Sequence, residues 1–271
     1  MAVAELDKPY LLDEAVVDRF RADGFVRLPN VLSAEVLAEF CPDIDHLVEQ
    51  RNRLANVPLA ERTLYDKAFI QVCNLWRESE RVRELAFSKR LARIAAELLG
   101  VRGVRMWHDQ ALYKEPSGGV TPWHVDQQYW PMASALSITA WIPLQAVPIE
   151  MGPLLFGRGS HRKRIGRDLE ISAESESQIS AAVEREKIAE VQEAFALGDV
   201  SFHLGWTLHR AGPNVSTACR RVFTIIYMDR DMRLAPPKNQ NQQNDWEKWT
   251  PSTTLGQVMD DPLNPVLYCR S

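Results

Sequence analysis

The stretch Thr121 to Trp130, TPWHVDQQYW, sets two polar, metal-capable side chains, His124 and Asp126, among the large rings of Trp123, Tyr129 and Trp130. On an extended chain alternate residues share one face, so His124 and Asp126 project together while Val125 points the other way. Two ligands of one metal ion need that geometry. By itself an H-x-D spacing is a weak signal, because a chain with six histidines and many acids produces it by chance.

The downstream segment GDVSFHLGWTLHRAGPNVSTACRRVFTIIYMD, Gly198 to Asp229, supplies what the pair lacks: a strand delivers His209, and a Gly-Pro-Asn turn leads into a second strand opening at Arg220. Two histidines and one carboxylate leave three positions of an octahedral Fe(II) open, which suits a bidentate co-substrate together with dioxygen. Along RRVFTIIYM, Arg220 shares a face with Val222, Thr224 and Ile226, so its guanidinium can clamp a carboxylate through two parallel hydrogen bonds.

Working outward, the segments VRMWHDQALYK, LSITAWIPL, DVSFHLG and RRVFTIIYMD are short, alternating, rich in β-branched and aromatic residues, and bounded by Gly, Pro, Asn or Ser. Such strands without long helices between them predict a sandwich or jelly roll over residues 101–235 rather than a parallel doubly wound sheet. Residues 1–100 read as mostly helical: LDEAVVDRFRADGF, SAEVLAEFCPDIDHLVEQRNRL and SKRLARIAAELLG space their apolar residues by three and four, with Ser33 and Ser88 as N-caps and Gly100 as a C-cap. Between the first two, FVRLPNVL fits an edge strand. The acidic, helix-prone run from Leu169 to Phe195 interrupts the strands as a solvated excursion or a mobile lid. The polar tract PPKNQNQQNDWEKW, Pro236 to Trp249, reads as a surface loop within a C-terminal tail, 236–271. No linker or internal repeat divides the chain, so the expectation is a single domain over residues 1–271.

The H-x-D pair, the GPLLFGRGSHR turn at Gly152 to Arg162, and GDVSFH…LHRAGPN…R, in that order, resemble the phytanoyl-CoA dioxygenase family of Fe(II)/2-oxoglutarate oxygenases, from about Phe69 to Asp229. The resemblance implies an α+β fold with a mainly β core, a cupin-like double-stranded β-helix or jelly roll with N-terminal and flanking helices. It implies that His124, Asp126 and His209 hold Fe(II) and that Arg220 receives the distal carboxylate of 2-oxoglutarate. Gln110 and Trp141 stand where the family has further co-substrate contacts, and Thr139 shares a strand face with Trp141. The implied reaction consumes O2 and 2-oxoglutarate, releases succinate and CO2, and hydroxylates an unactivated C–H of a small-molecule substrate such as an acyl thioester, an amino-acid-like solute or a natural-product intermediate. Related iron halogenases put a small residue at the acid's position so that chloride can bind; retention of Asp126 favours oxygen insertion. Two departures stand out. Ala211 occupies the place of a frequent hydroxyl residue two after the distal histidine, leaving Thr139 to supply that bond, and Gln71 or Lys67 stands in for an upstream lysine.

Other classes fare less well. A zinc hydrolase or isomerase on a cupin-like barrel would use the same ligands but has no need of Arg220 and Gln110, and a non-catalytic binding module has no need of an intact ligand set. A net charge of -4 gives no basic excess for nucleic acid. The acidic N-terminus and the absence of a long apolar run predict no membrane association and a cytoplasmic location, and Cys41, Cys73, Cys219 and Cys269 read as reduced thiols. Nothing in the residue pattern bears on oligomeric state. His108 fits either a pocket wall or a hydrogen-bonded core position, His203 a structural one, His46 the surface and His161 a turn. The cluster Arg158, His161, Arg162, Lys163, Arg164 and Arg167 reads as a solvated strand-end patch ahead of a site for an anionic substrate such as a coenzyme A thioester, and Ser160 beside His161 lacks the elbow of a hydrolase nucleophile.

Overall fold

The computed structural model describes residues 2–270, the side chains of residues 2 and 3 excepted. Its helices are α1 (Ala2–Asp7), α2 (Glu14–Asp23), α3 (Ala34–Arg51), α4 (Leu64–Ala68), α5 (Glu80–Ala86), α6 (Lys89–Leu99), α7 (Ala173–Arg185) and α8 (Gln240–Trp249). Its strands are β1 (Phe25–Leu28), β2 (Ile70–Cys73), β3 (Gly103–Lys114), β4 (Thr121–His124), β5 (Ser137–Pro143), β6 (Leu154–Gly157), β7 (Glu190–Gln192), β8 (Val200–Leu204), β9 (His209–Ala211), β10 (Arg220–Asp229) and β11 (Val266–Cys269).

They form two antiparallel sheets. The larger runs β1-β8-β5-β10-β3-β11, with β2 also paired to β3, and the smaller runs β4-β9-β6-β7. The jelly-roll expectation is met, and FVRLPNVL contributes the edge strand β1. The predicted helix caps also appear: the Ser33 and Ser88 side chains accept from Val36 and Leu91 N–H, and Gly100 ends α6 in the left-handed region. Helix α6 lays Leu91, Ile94, Ala95 and Leu98 on the outer face of the large sheet, where they join Phe223, Ile225 and Tyr227 of β10 in the main core.

Several features depart from the sequence reading. Beyond the expected β1, the first hundred residues contribute a second strand, β2. The tract expected as a surface loop is the helix α8, which starts where the Asn239 side chain accepts from Gln242 N–H. The C-terminal tail returns as β11 to extend the large sheet on β3, so its backbone groups are satisfied by pairing rather than by water. Part of the 169–195 excursion also belongs to a sheet, since β7 pairs with β6 and Phe195 bridges Val147.

At the end of α2 the N-terminal helices come tightly against the turns that join the small sheet's strands. Gly24 ends α2 at φ +87°, and a Cβ there would lie 2.3 Å from His161 Nδ1 and 2.7 Å from Thr207 Oγ1. Only glycine meets both demands. Thr207 Oγ1 donates to Gly24 O, and Thr207 O in turn holds the ring of His209. No helix among the described residues is long and apolar enough to cross a membrane.

Candidate active site

The three side chains picked from the sequence converge. One ligand atom from each of His124, Asp126 and His209 lies within 4.8 Å of the others. The antiparallel pairing of β4 with β9 sets His124 directly opposite His209, with ring centroids 4.1 Å apart. Strand β4 stops at His124, and Asp126 opens a short 3-10 turn, Asp126–Tyr129, rather than continuing the strand. Val125 keeps an extended backbone (φ -126°, ψ 135°), so the alternation carries one residue beyond the strand and Asp126 still faces His124.

Hydrogen bonds fix which atoms are free. Pro122 O lies 2.7 Å from His124 Nδ1, and Thr207 O lies 3.0 Å from His209 Nδ1. Each carbonyl selects the tautomer protonated on Nδ1 and leaves the Nε2 lone pair to face Asp126 Oδ1, at 3.8 and 3.5 Å. The other carboxylate oxygen, Oδ2, accepts from Thr139 Oγ1 at 3.0 Å and lies 3.1 Å from His203 Nε2. Burial lowers the pKa of His124 and drives that of His209 well down, so each ring gives up its Nε2 proton readily to a metal. Burial alone would raise the Asp126 carboxyl, but His209, His203 and His124 outweigh it and hold the group well below the usual carboxylate range. Two neutral imidazoles and an ionised carboxylate are the donor set of a 2-His-1-carboxylate iron site, and the residues present fit that metal.

These groups line a pocket between the two sheets whose far end is Arg220. The Arg220 guanidinium is fully buried, donates from Nη1 to Gly152 O, and leaves Nε without a partner. Burial pulls it down to about 10. Trp141 forms one wall, with the guanidinium carbon 5.6 Å from its ring centroid. Beside Arg220, and paired with it across β10 and β3, Lys114 is also buried; burial and the charge of Arg220 lower its pKa to about 6. Its Nζ donates to Gly119 O, Gly212 O and Thr121 Oγ1. Neither side chain makes a salt bridge among the described residues, so two basic groups sit in low dielectric with no acid to balance them. The arrangement favours an anion.

Thr121 is a pocket residue that the sequence reading missed. It stands opposite Ala211 across β4 and β9 and lines the pocket on the side of Arg220. Counted back from His124 by twos, residue 121 should face away. Three steps along β4 instead span two along β9, a bulge that turns both Thr121 and His124 inward. The hydroxyl absent at Ala211 is therefore present on the neighbouring strand. Thr139, expected at the co-substrate, instead donates to Asp126.

Gln110 lies in the pocket, its Oε1 bonded to Gln71 Nε2, whose own Oε1 accepts from Tyr65. Gln71 thus shares the pocket, whereas Lys67 packs against Gly119 outside its lining. His203, expected as structural, is a pocket residue bonded to the Asp126 carboxylate, and His108 lines the pocket with its ring 4.8 Å from that of Trp249. His46 forms a hydrogen bond with Gln50 on the outer face of α3. Ser160 is buried, its Oγ accepts from Leu208 N–H, and no hydrogen bond joins it to His161 among the described residues. Arg158 and Lys163 of the basic patch pair with Asp23 and Glu186, and Arg167 lies over Trp206.

Comparison with known proteins agrees with this geometry. The family model described as phytanoyl-CoA dioxygenase (PhyH) matches residues 20–222. A probable alpha-ketoglutarate-dependent hypophosphite dioxygenase of Stutzerimonas stutzeri is 23% identical over 225 residues, covering 77% of this chain and 76% of the relative. Among solved structures, the non-haem alpha-ketoglutarate-dependent carbocyclase SnoK from nogalamycin biosynthesis superposes with a TM-score of 0.78 at 24% identity, over 96% of this chain and 100% of that one. The epimerase SnoN in complex with Fe3+, alpha-ketoglutarate and nogalamycin RO gives 0.79 at 25% identity, over 94% and 98%.

Proposed function

Because the chain belongs to the phytanoyl-CoA dioxygenase family and is an Fe(II)/2-oxoglutarate-dependent dioxygenase, we propose that His124 Nε2, Asp126 Oδ1 and His209 Nε2 hold the iron and that the enzyme hydroxylates a C–H bond of a small organic substrate. The observation that carries this is the convergence of those three atoms, each with its other polar atom tied to a carbonyl or a donor. When bound, iron and 2-oxoglutarate supply an O2-dependent oxidation that releases succinate and CO2.

The protein's part is to bind, orient and exclude water. Pro122 O and Thr207 O aim the two imidazoles, while Thr139 and His203 hold Asp126 Oδ2 so that Oδ1 stays directed at the metal. Arg220 receives the distal carboxylate of 2-oxoglutarate, and Thr121 donates its hydroxyl to the same group. Lys114, which donates to Thr121 Oγ1, orients that hydroxyl with its proton toward the ligand. The co-substrate's charge offsets the buried Arg220 guanidinium and favours protonation of Lys114 beside it, which gives binding energy at the point where selectivity for a dicarboxylate is set. Trp141 walls the guanidinium from water. Asp126 fills the position that a halogenase leaves for chloride, which supports oxygen insertion. The substrate occupies the remaining end of the pocket, walled by Tyr129, Trp130 and Trp249.

The test is anaerobic addition of 2-oxoglutarate to the Fe(II) protein, followed by visible absorption. A charge-transfer band is expected in the wild type and is lost in His209→Ala and His124→Ala, with loss of succinate release in air; Asp126→Ala, which leaves two imidazoles as a halogenase does, should need more Fe(II) to develop it. A band that survives either histidine substitution removes the metal assignment. Arg220→Ala should raise the 2-oxoglutarate requirement more than about tenfold, since it removes a charge-assisted bond worth ~1.5–3 kcal/mol. Thr121→Val should raise it by a few-fold, the loss of one neutral hydrogen bond of about 1 kcal/mol. An unchanged requirement in Arg220→Ala contradicts the clamp.

A further inference from the structure

The end of the pocket away from Arg220 is closed by helix α8, which places Asp245, Lys248 and Trp249 among the lining residues. Asp245 and Lys248 are one helical turn apart and could pair, but they do not. Lys248 is turned instead onto the face of Trp249, its Nζ 4.4 Å from the ring centroid, and is exposed. Asp245 is half-buried, makes no salt bridge among the described residues, and lies close enough to Cys73 on β2 and Tyr129 on the 3-10 turn for its charge to act on both. Around it the rings of Tyr129, Trp130 and Trp249 belong to one packed cluster.

A carboxylate in an apolar setting without a cationic partner is costly unless a ligand supplies one. Burial pushes the Asp245 carboxyl up to about 7, with Lys248 and the Trp249 indole pulling back only in part. Electron-rich ring faces beside a carboxylate are the chemistry that recognises an organic ammonium group: the carboxylate accepts its N–H bonds and the rings attract its charge. Lys248 is the cation that lines this end of the pocket among the described residues, and it is held over an indole at the rim.

Resting on the oxygenase reading, we propose that the substrate carries a protonated amine and that Asp245 seats it among Tyr129, Trp130 and Trp249, making Asp245 a specificity-determining residue. The amine is held at one end of the substrate while the carbon to be oxidised lies toward His124 and His209.

The probes are benzylamine, benzyl alcohol and benzoate, which share a ring and differ in charge. Each is titrated calorimetrically into the enzyme loaded with Fe(II) and 2-oxoglutarate under anaerobic conditions. Benzylamine should bind at least about tenfold more tightly than benzyl alcohol. Asp245→Asn should abolish that preference while keeping the 2-oxoglutarate charge-transfer band, which certifies that the variant is folded and loaded. Lys248→Gln should keep the preference. Equal affinities, no binding of the amine, a preference that survives Asp245→Asn, or tightest binding of benzoate with loss in Lys248→Gln each overturns the proposal. Absence of the band in the wild type would instead overturn the oxygenase reading, so the two failures are separable.

Discussion

Two polar helices flank the strand that carries His124, and they do different things. Helix α7 packs Ile179 and Val183 against Trp123 and Leu208, on the face of the small sheet away from the metal pocket. Its Glu176 accepts from Trp123 N–H at 2.8 Å and pairs with Arg210 at 2.7 Å, and those two residues are the immediate neighbours of His124 and His209. Helix α8 sits at the other end, bonded through Gln242 Nε2 to Gln128 O in the turn that Asp126 opens, and it contributes side chains to the pocket itself. One helix braces the ligand strands from behind; the other forms a wall that a substrate meets. Composition suggests the reverse, because the acidic excursion invites a lid and the Asn/Gln tract invites a loop. Charge content reports that a helix has a wet face, but not what its dry face touches.

The contrast is broken most forcefully at Trp249. Trp249→Ala removes a buried ring that packs on His108 and joins Trp130 and Trp246 in one cluster, and the expected loss of stability is about 3 kcal/mol, read by denaturant unfolding. If α8 is a substrate wall, the variant still develops the 2-oxoglutarate band. Loss of the band would mean that α8 supports the metal as α7 does. The converse variant is Glu176→Ala, which leaves Trp123 N–H and Arg210 without their acceptor at a cost of about 2 kcal/mol. Here the metal should report the damage: added Fe(II) should raise the melting temperature less than in the wild type, because a looser strand pair binds it more weakly. An undiminished metal-induced rise would reduce α7 to packing alone.

The parts of the site that are legible in the sequence are those whose geometry is local or periodic. His124 and Asp126 are two apart on extended backbone, Arg220 opens a strand of regular alternation, and α6 announces both of its caps, Ser88 and Gly100. Thr121 is illegible because a bulge breaks the period between it and His124, and a bulge is a property of the pairing with β9 rather than of β4. His203 reads as structural because its strand gives reason enough for burial, whereas its bond to Asp126 comes from the apposition of two sheets. Lys114 looks like the polar end of a strand; its burial depends on Gly119 and Gly212 coming round to receive its ammonium. Helix α8 and strand β11 take their places from partners more than a hundred residues away in sequence, Gln128 and β3, which no local pattern encodes.

The smallest expected effect is the most discriminating for α7. The chain between α7 and β7 turns at Lys187, which takes φ +51°, and Glu184, Arg185 and Glu186 beside it offer a trypsin or Glu-specific protease its targets. A lid would close over bound ligands and slow cleavage there. A brace would not, since Ser172 and Ser175 cap the helix reciprocally and Glu176 ties it to both ligand strands whether or not the pocket is filled. The expected result is therefore an unchanged cleavage rate at 184–188 on adding 2-oxoglutarate and benzylamine to the Fe(II) enzyme without oxygen, alongside slower amide exchange in α8. A rate that falls with ligand would return α7 to the role of a lid, and would mean that the Glu176 contacts open and close with the site.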